Sequence, residues 1–567
     1  VFEGRASRAG LIPSIEKGEQ EDNMSGHGSR PLRGLESTAQ SSTKTGKFGR
    51  MFRWLAPGFA PSNVKQEQDI ETLLKGLAPL MVSNEFNDRV DQENEPTPDQ
   101  DITTPEPEDE NRTIPAGYTY LGQFIDHDIT FDPASSLQQQ NDPDALEDFR
   151  TPRLDLDSVY GRGPDDQPYL YDKSSGRRKF RLGPTSVGVG GQFRPDVLRT
   201  DDDTAVIGDK RNDENKIVRQ LQVLFQRFHN KVFDDLAPRF PGSDAQQARF
   251  LEAQRIVRWT YQWLVVHDYL SRVCRKDVID GILPGKHEVA PHLRFYKADS
   301  GEAFMPVEFS VAAFRFGHSM VRPSYLLNDV AKSSATFESK GHKKTPFARI
   351  PIFVPKSSDA KNALNGFGEP LPADWGIDWA FFFGTIPPAT QAGKQIPQPS
   401  YRIDATLVDP LGALPEFVPS LGLNSPFVSL AFRNLMRGFR MGLPSGQAVA
   451  QMMGINSLSE EQLWQVKAKG DEVEEWKAGK SFFAANKQLL EGRAPLWFYI
   501  LKEAEIHEKG HRLGQMGSRI VAETMIALVW LDHFSYLFQA PHWNPSKEGL
   551  TGLTANLDML KLAQYVG

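Results

Sequence analysis

Seven consecutive residues, Gly122 to Asp128 (GQFIDHD), restrict what this chain can fold into more than any other stretch. They set a histidine between two acids inside an apolar frame of Phe124, Ile125, Ile129 and Phe131. On a helix, at about 100° per residue, Gln123, Asp126 and His127 share one broad face while Asp128 turns toward a second. Burying such acids is costly unless the carboxylates find a cation, hydrogen bonds or a covalent partner. Two readings stand at this point: a buried acid-base-acid network, or one short helix that serves two sites.

Composition narrows the class without choosing between them. The chain has 567 residues, 39% hydrophobic and 10% aromatic, enough to bury a large core. A formal charge of -8, with no basic stripe interleaved with aromatics, argues against a nucleic-acid binder. Cys274 is the sole cysteine, which excludes an intrachain disulfide and a thiolate metal cluster. Apolar runs such as Ile520 to Trp530 (IVAETMIALVW) carry a charge and are too short for a membrane span. Residues 1–50 lack the continuous apolar core of a secretory signal, so the expected compartment is the cytoplasm, or the exterior by a non-classical route.

Most of the chain reads as helix. Ile217, Leu221, Leu224, Phe225, Phe228 and Val232 recur at three- and four-residue steps, and Phe250 to Val273 repeats the theme. Further helices are expected at Pro495 to Glu505, with the proline in the first turn, and at Gly517 to Leu537. Between Lys332 and Pro419 the periodicity fades into loops, with a small hairpin suggested by ARIPIFVP. The expectation is a mainly α fold, a large single domain over 114–545. Before it come a flexible arm at 1–60 and a helix with an acidic Pro-rich loop at 61–113, and a tail follows at 546–567.

Partners for GQFIDHD appear downstream. Arg211 and Glu214 (GDKRNDEN) stand three residues apart and can face one space. His318 follows Gly317 in AAFRFGHSMVRP, and a small residue beside a histidine permits close approach of a flat ligand. RNLMRGFRMGLP adds Asn434 and Arg437 on one helical face. Taken in order, these motifs resemble the animal-type haem peroxidases, the family of myeloperoxidase and lactoperoxidase within the peroxidase–cyclooxygenase superfamily. The resemblance runs from about Ile114 to Pro444, and more weakly to about Leu537.

That resemblance implies a haem peroxidase with haem b as cofactor. His127 would be the distal base, Arg211 the distal arginine, His318 the proximal iron ligand and Asn434 the acceptor for its other nitrogen. Gln123 would hydrogen-bond water or halide in the distal pocket, and Arg315 and Arg437 would join the cofactor-binding set. Asp126 and Glu214 match the carboxylates that form haem esters, which would remove the charge that burial penalises. Asn215 stands where a third, methionine link would be, so bromide, iodide, thiocyanate or phenolic donors are expected ahead of chloride. Thr151 to Asp157 (TPRLDLD) resembles the family's calcium loop. Its implied ligands are Thr151, Asp155 and Asp157 by side chain and Arg153 by carbonyl, joined by Asp128, with Asp157 where the family often has Ser.

Two rivals compete. A fatty-acid dioxygenase of the same superfamily needs a tyrosine three residues before the proximal histidine, where this chain has Arg315. A zinc protease is suggested by His507 to His511 (HEKGH), but Gly517 holds the third ligand position and Gly510 weakens the helix; a charged loop is the better account. His229, His267, Tyr261 and Tyr269 lie on or beside apolar helical faces and read as core, and Trp259 with Trp263 reads as a packing pair.

Overall fold

A computed structural model describes residues 46–83, 109–131, 147–148, 150–186, 194–285, 287–298, 301–331, 349–353, 363–387, 397–465 and 472–567. The chain is about 49% helical with no closed sheet among those residues, which makes it a mainly α fold. The helices that carry the argument are α1 (Val64–Leu77), α2 (Gly117–Ile129), α3 (Lys216–Asp235), α4 (Gln246–Leu264), α5 (Leu430–Arg440), α6 (Leu496–Glu508), α7 (Gln515–Leu531) and α8 (Met559–Val566). Short strands fasten the loops: β1 (Gly46–Gly49), β2 (Glu110–Pro115), β3 (Glu147–Asp148), β4 (Met305–Pro306), β5 (Ser324–Tyr325), β6 (Ile350–Pro351) and β7 (Pro399–Tyr401). β1 pairs antiparallel with β3 and parallel with β4, β2 antiparallel with β7, and β5 antiparallel with β6.

The core is one cluster in which α2, α3 and α4 meet. Phe124 on α2 stacks on Phe225 of α3 with centroids 4.9 Å apart, and Tyr261 of α4 meets both rings edge-on. Asn215 caps α3 by accepting from the backbone N–H groups of Ile217 and Val218, which satisfies donors a helix start leaves orphaned. The apolar stripe expected on α3 is there, but Arg219, Gln222, Gln226 and His229 are also buried, so this helix is enclosed on several sides. α4 runs into a π-helical turn, Val265–Tyr269, and then Leu270–Val273, so the helix expected to end at Val273 is continuous but locally under-wound.

Several boundaries differ from expectation for long-range reasons. Residues 46–60 are part of the fold: β1 joins β4, and the buried Glu308 carboxylate accepts from Met51 and Phe52 N–H at 2.9 and 3.2 Å. Residues 1–45 of the arm expected over 1–60, and residues 84–108 of the acidic loop expected within 61–113, lie outside the described residues. Pro495 is the cap before α6 rather than a first-turn residue. α7 stops at Leu531, and a separate short helix, Tyr536–Gln539, follows. The expected hairpin strand is present as Ile350–Pro351 paired with β5. The expected tail folds back as α8, with Tyr565 edge-on to Phe228 of α3 at 5.9 Å.

Candidate active site

Helix α2 delivers its polar residues in two directions. Of its thirteen residues only Gln123 and Asp126 are less than fully buried, and with His127 they line a cavity of about 300 Å³. Gly122 lets this happen: a Cβ there would stand 2.5 Å from the Tyr269 hydroxyl, so any side chain would push the π-helical turn off α2. Across the cavity, Arg211, Glu214 and Asn215 come from the short helical turn before α3, and Phe314, Arg315, Gly317 and His318 from the opposite wall. A Cβ added to Gly317 would meet nothing within 4 Å, so the space beside His318 is open.

The hydrogen-bond network around His127 favours one tautomer. Its Nδ1 lies 2.9 Å from Oδ1 of Asn212, whose amide N–H₂ is committed to Gln222 at 2.9 Å. With Asn212 presenting its oxygen in this arrangement, His127 donates from Nδ1 and the lone pair sits on Nε2. Nε2 lies 3.6 Å from Glu214. Burial, and then the Arg211 charge, lower the imidazole pKa to about 3, so it is neutral near pH 7. Asp126 and Glu214 are pushed the other way. Burial raises both, and the neighbouring Glu416 raises Glu214 further. Gln123 bridges two protein groups, donating to Glu214 at 3.0 Å and accepting from Asn215 at 2.9 Å. Arg211 donates to Asp209 and to the His127 carbonyl at 2.8 Å, and lies over the Phe131 ring.

On the facing wall His318 is neutral too, its pKa lowered to about 3 by burial and then by Arg315. Asn434 on α5 reaches it, but in the reverse sense to the one expected. The amide nitrogen lies 2.8 Å from His318 Nδ1, while the amide oxygen accepts from Arg315 at 2.7 Å. A guanidinium is the stronger claimant on that oxygen than an imidazole N–H. Arg437, expected in the cofactor set, is not among the lining residues; Arg433, one turn earlier on α5, lines the cavity with Leu430.

Behind α2, Asp128 meets the loop that follows β3. Asp128, Asp155 and Asp157 are buried with carboxylate oxygens within 4.8 Å of one another, the one such group of three among the described residues. Burial, then repulsion from Asp155 and Asp157, pushes the Asp128 carboxyl well above the usual range. Leu156 takes a left-handed φ of 58°, which aims its N–H at Asp128 at 3.0 Å; such a backbone costs a branched residue about 1–2 kcal/mol. Thr151 donates to Asp155 at 3.2 Å, and Arg150 to Asp157 at 2.6 Å. Arg153 is present in the loop with its N–H on the Thr151 carbonyl.

A family model described as animal haem peroxidase matches residues 137–369. Mouse thyroid peroxidase is 25% identical over 184 residues, which is 30% of this chain and 19% of that protein. Peroxidase A from Dictyostelium discoideum superposes with a TM-score of 0.55 at 15% identity, covering 87% of this chain and 89% of that one. The matched segment, less than half of the chain, is similar to the animal haem peroxidases, and the fold is similar to that of the Dictyostelium enzyme. A fatty acid alpha-dioxygenase from Oryza sativa shares the fold as well, with a TM-score of 0.50, 13% identity and coverage of 88% and 77%.

The matched family is described as one of haem proteins, and the cavity suits such a group. Two neutral imidazoles line one space, Gly317 leaves room for a flat group, and acids and arginines surround it. Coordination through His318 Nε2 requires a hydrogen on Nδ1, and hence an Asn434 amide turned over from the orientation described above. Among the described residues HEKGH does not gather into a group of metal ligands. His507 ends α6 in an exposed position, Lys509 and Gly510 adopt left-handed backbone, and Glu508 is bound by Arg275 at 2.5 Å. Sequence reasoning missed Asn212, Asp209, Arg150, Glu416 and Arg433. Tyr269, read as core, is buried and also lines the cavity.

Proposed function

We propose that this protein is a haem peroxidase that reduces hydrogen peroxide and oxidises small donors. The observation that carries the reading is the pair of neutral histidines on one cavity, of which His127 has its lone pair fixed on Nε2 by Asn212. His318 would hold the iron, with Asn434 and Arg315 behind it. Haem iron supplies the redox centre at which peroxide is reduced by two electrons. His127 Nε2 takes a proton from one peroxide oxygen and returns it to the other, a task for a base that stays neutral at working pH. The Arg211 cation, anchored by Asp209, offsets the charge that develops on the leaving oxygen. Asp126 and Glu214, both favouring the uncharged form, are suited to ester links at the cofactor's edge. Gln123 steadies Glu214 and Asn215 from the cavity wall.

Bromide, iodide, thiocyanate and phenols are the donors we assign, ahead of chloride, because Asn215 makes no methionine link. The buried acids Asp128, Asp155 and Asp157 with Thr151 and the Arg153 carbonyl suit calcium, since oxygen donors and surplus negative charge favour a hard dication. A fatty-acid dioxygenase is the second reading, favoured by Tyr269 on the cavity wall and disfavoured by Arg315 three residues before His318.

The test is an absorbance spectrum of haem-reconstituted protein before and after hydrogen peroxide, with bromide or a phenol as donor. A Soret band that responds to peroxide and donor turnover support the peroxidase. Oxygen uptake with a long-chain fatty acid and no donor oxidation would favour the second reading, and no Soret band would end both.

A further inference from the structure

One chain of ion pairs connects the acid cluster behind α2 to the cavity in front of it. Arg150, nearly fully buried, extends Nη1 to Asp157 at 2.6 Å and Nη2 to Oδ2 of Asp209. Arg211 donates its Nη2 to that same Oδ2 at 2.8 Å and to the His127 carbonyl at 2.8 Å. The two guanidiniums share one carboxylate oxygen, and Arg211 also holds the other, Oδ1, through Nε at 3.2 Å. Burial works against the Asp209 charge, but the two arginines together hold its carboxyl far below the usual range. Once all three carboxylates are ionised they outnumber Arg150 by two charges, which one divalent cation balances.

We propose that Arg150 is a positioning residue through which cation binding at Asp128, Asp155 and Asp157 sets how firmly Asp209 holds Arg211, and so how strongly the cavity binds an anionic ligand. The inference rests on the haem and calcium readings above and extends them to a specific linkage. A cation draws on Asp157 and weakens its bond to Arg150. Arg150 then leans on Asp209 and takes a larger share of Oδ2. The Arg211 Nη2 end is loosened from Oδ2 while Nε stays on Oδ1, and that end of the guanidinium becomes available to the cavity. Cation binding tightens anion binding, and by thermodynamic reciprocity an anion in the cavity tightens the cation by the same factor. The substitution that makes this possible is Asp157, since a serine there carries no charge with which to engage Arg150.

The experiment uses full-length, haem-reconstituted protein. Cyanide affinity is read from the Soret shift in calcium-loaded and chelator-treated samples, and terbium luminescence reads cation binding with and without saturating cyanide. The wild type should bind cyanide at least about 5-fold more tightly with calcium, the low end of ordinary coupling, and terbium should respond to cyanide by the same factor. Arg150→Lys keeps the charge but cannot span two carboxylates, so its calcium effect on cyanide should fall below about 2-fold while terbium still binds. Arg150→Gln should lose the linkage and bind terbium more tightly, because a competing cation is gone.

Wild-type-sized linkage in Arg150→Lys overturns the proposal, as does a wild type that binds terbium without any effect on cyanide, or one that does not bind terbium. The reciprocity measurement needs no variant, so it decides the matter even if both variants misfold. Absence of a Soret band sinks the haem reading along with this one. A normal Soret band without linkage sinks this one alone.

Discussion

Replacing Asn212 with aspartate should turn a pH-insensitive base into one that titrates near neutrality. Asn212 Oδ1 lies 2.9 Å from His127 Nδ1, and the imidazole pKa stands at about 3 because of burial and then the Arg211 charge. A carboxylate there stabilises the imidazolium by about 4 kcal/mol at a charge separation near 4 Å and an effective dielectric of about 20. At 1.36 kcal/mol per unit that is about 3 units, which carries the pair's apparent pKa to about 6. Gln222, now an acceptor from Asn212, can turn its amide over to donate to the new carboxylate. The assay is kcat/KM for hydrogen peroxide from pH 4 to 8. The wild type should show no acid limb from His127 in that range, because it is protonated only near pH 3. Asn212→Asp should lose activity below a midpoint near 6, as protonation removes the Nε2 lone pair. Asn212→Leu supplies the control: it frees the tautomer and lowers the rate without adding an acid limb. An identical pH profile for wild type and Asn212→Asp would refute the assignment of Nε2 as the working base.

Other outcomes follow from the same geometry. His127→Ala should lower kcat/KM for peroxide by about 10²–10⁴ with the Soret band retained, measured by stopped-flow absorbance. After peroxide turnover the wild-type haem should resist acid-acetone extraction, whereas the double variant Asp126→Asn, Glu214→Gln should release it; equal release from both would remove the ester assignment. Asp148, pushed up to about 8 by burial, accepts from Phe131 and Arg150 N–H groups. A carboxyl raised on folding contributes stability that is full below its unfolded pKa near 4 and is lost as pH rises through 8. Asp148→Asn should therefore flatten the fall in Tm between pH 5 and pH 8 by roughly a few degrees, followed by calorimetry; an unchanged slope would rule out Asp148 as its source.

What the sequence made legible was local. GQFIDHD could be read because a helical period alone puts Gln123, Asp126 and His127 on one side and Asp128 on another, and α2 has that geometry. The spacing of Arg211 and Glu214 also sufficed, because a short helical turn before a capped helix brings both to one wall. Asn212 was illegible although it stands between them, because its meaning depends on Gln222, a full ten residues later, turning its oxygen toward His127. Arg150 needed three separate segments to meet. Residues 46–60 read as a loose arm because their order comes from β4 and the Glu308 carboxylate, more than 250 positions away. Arg437 and Arg433 share a face of α5, and periodicity cannot say where along that face a cavity ends.

Asn215 constrains what this protein can become. Its side chain caps α3 through Ile217 and Val218 N–H and at the same time donates to Gln123, which in turn holds Glu214. A methionine at that position, the residue that would bring a third cofactor link, has no oxygen to cap a helix and no N–H for Gln123. Gaining it in one step would forfeit about 1 kcal/mol of helix capping and release two cavity side chains together. A change to methionine at position 215 would have to begin elsewhere, with a replacement cap for α3 already in place.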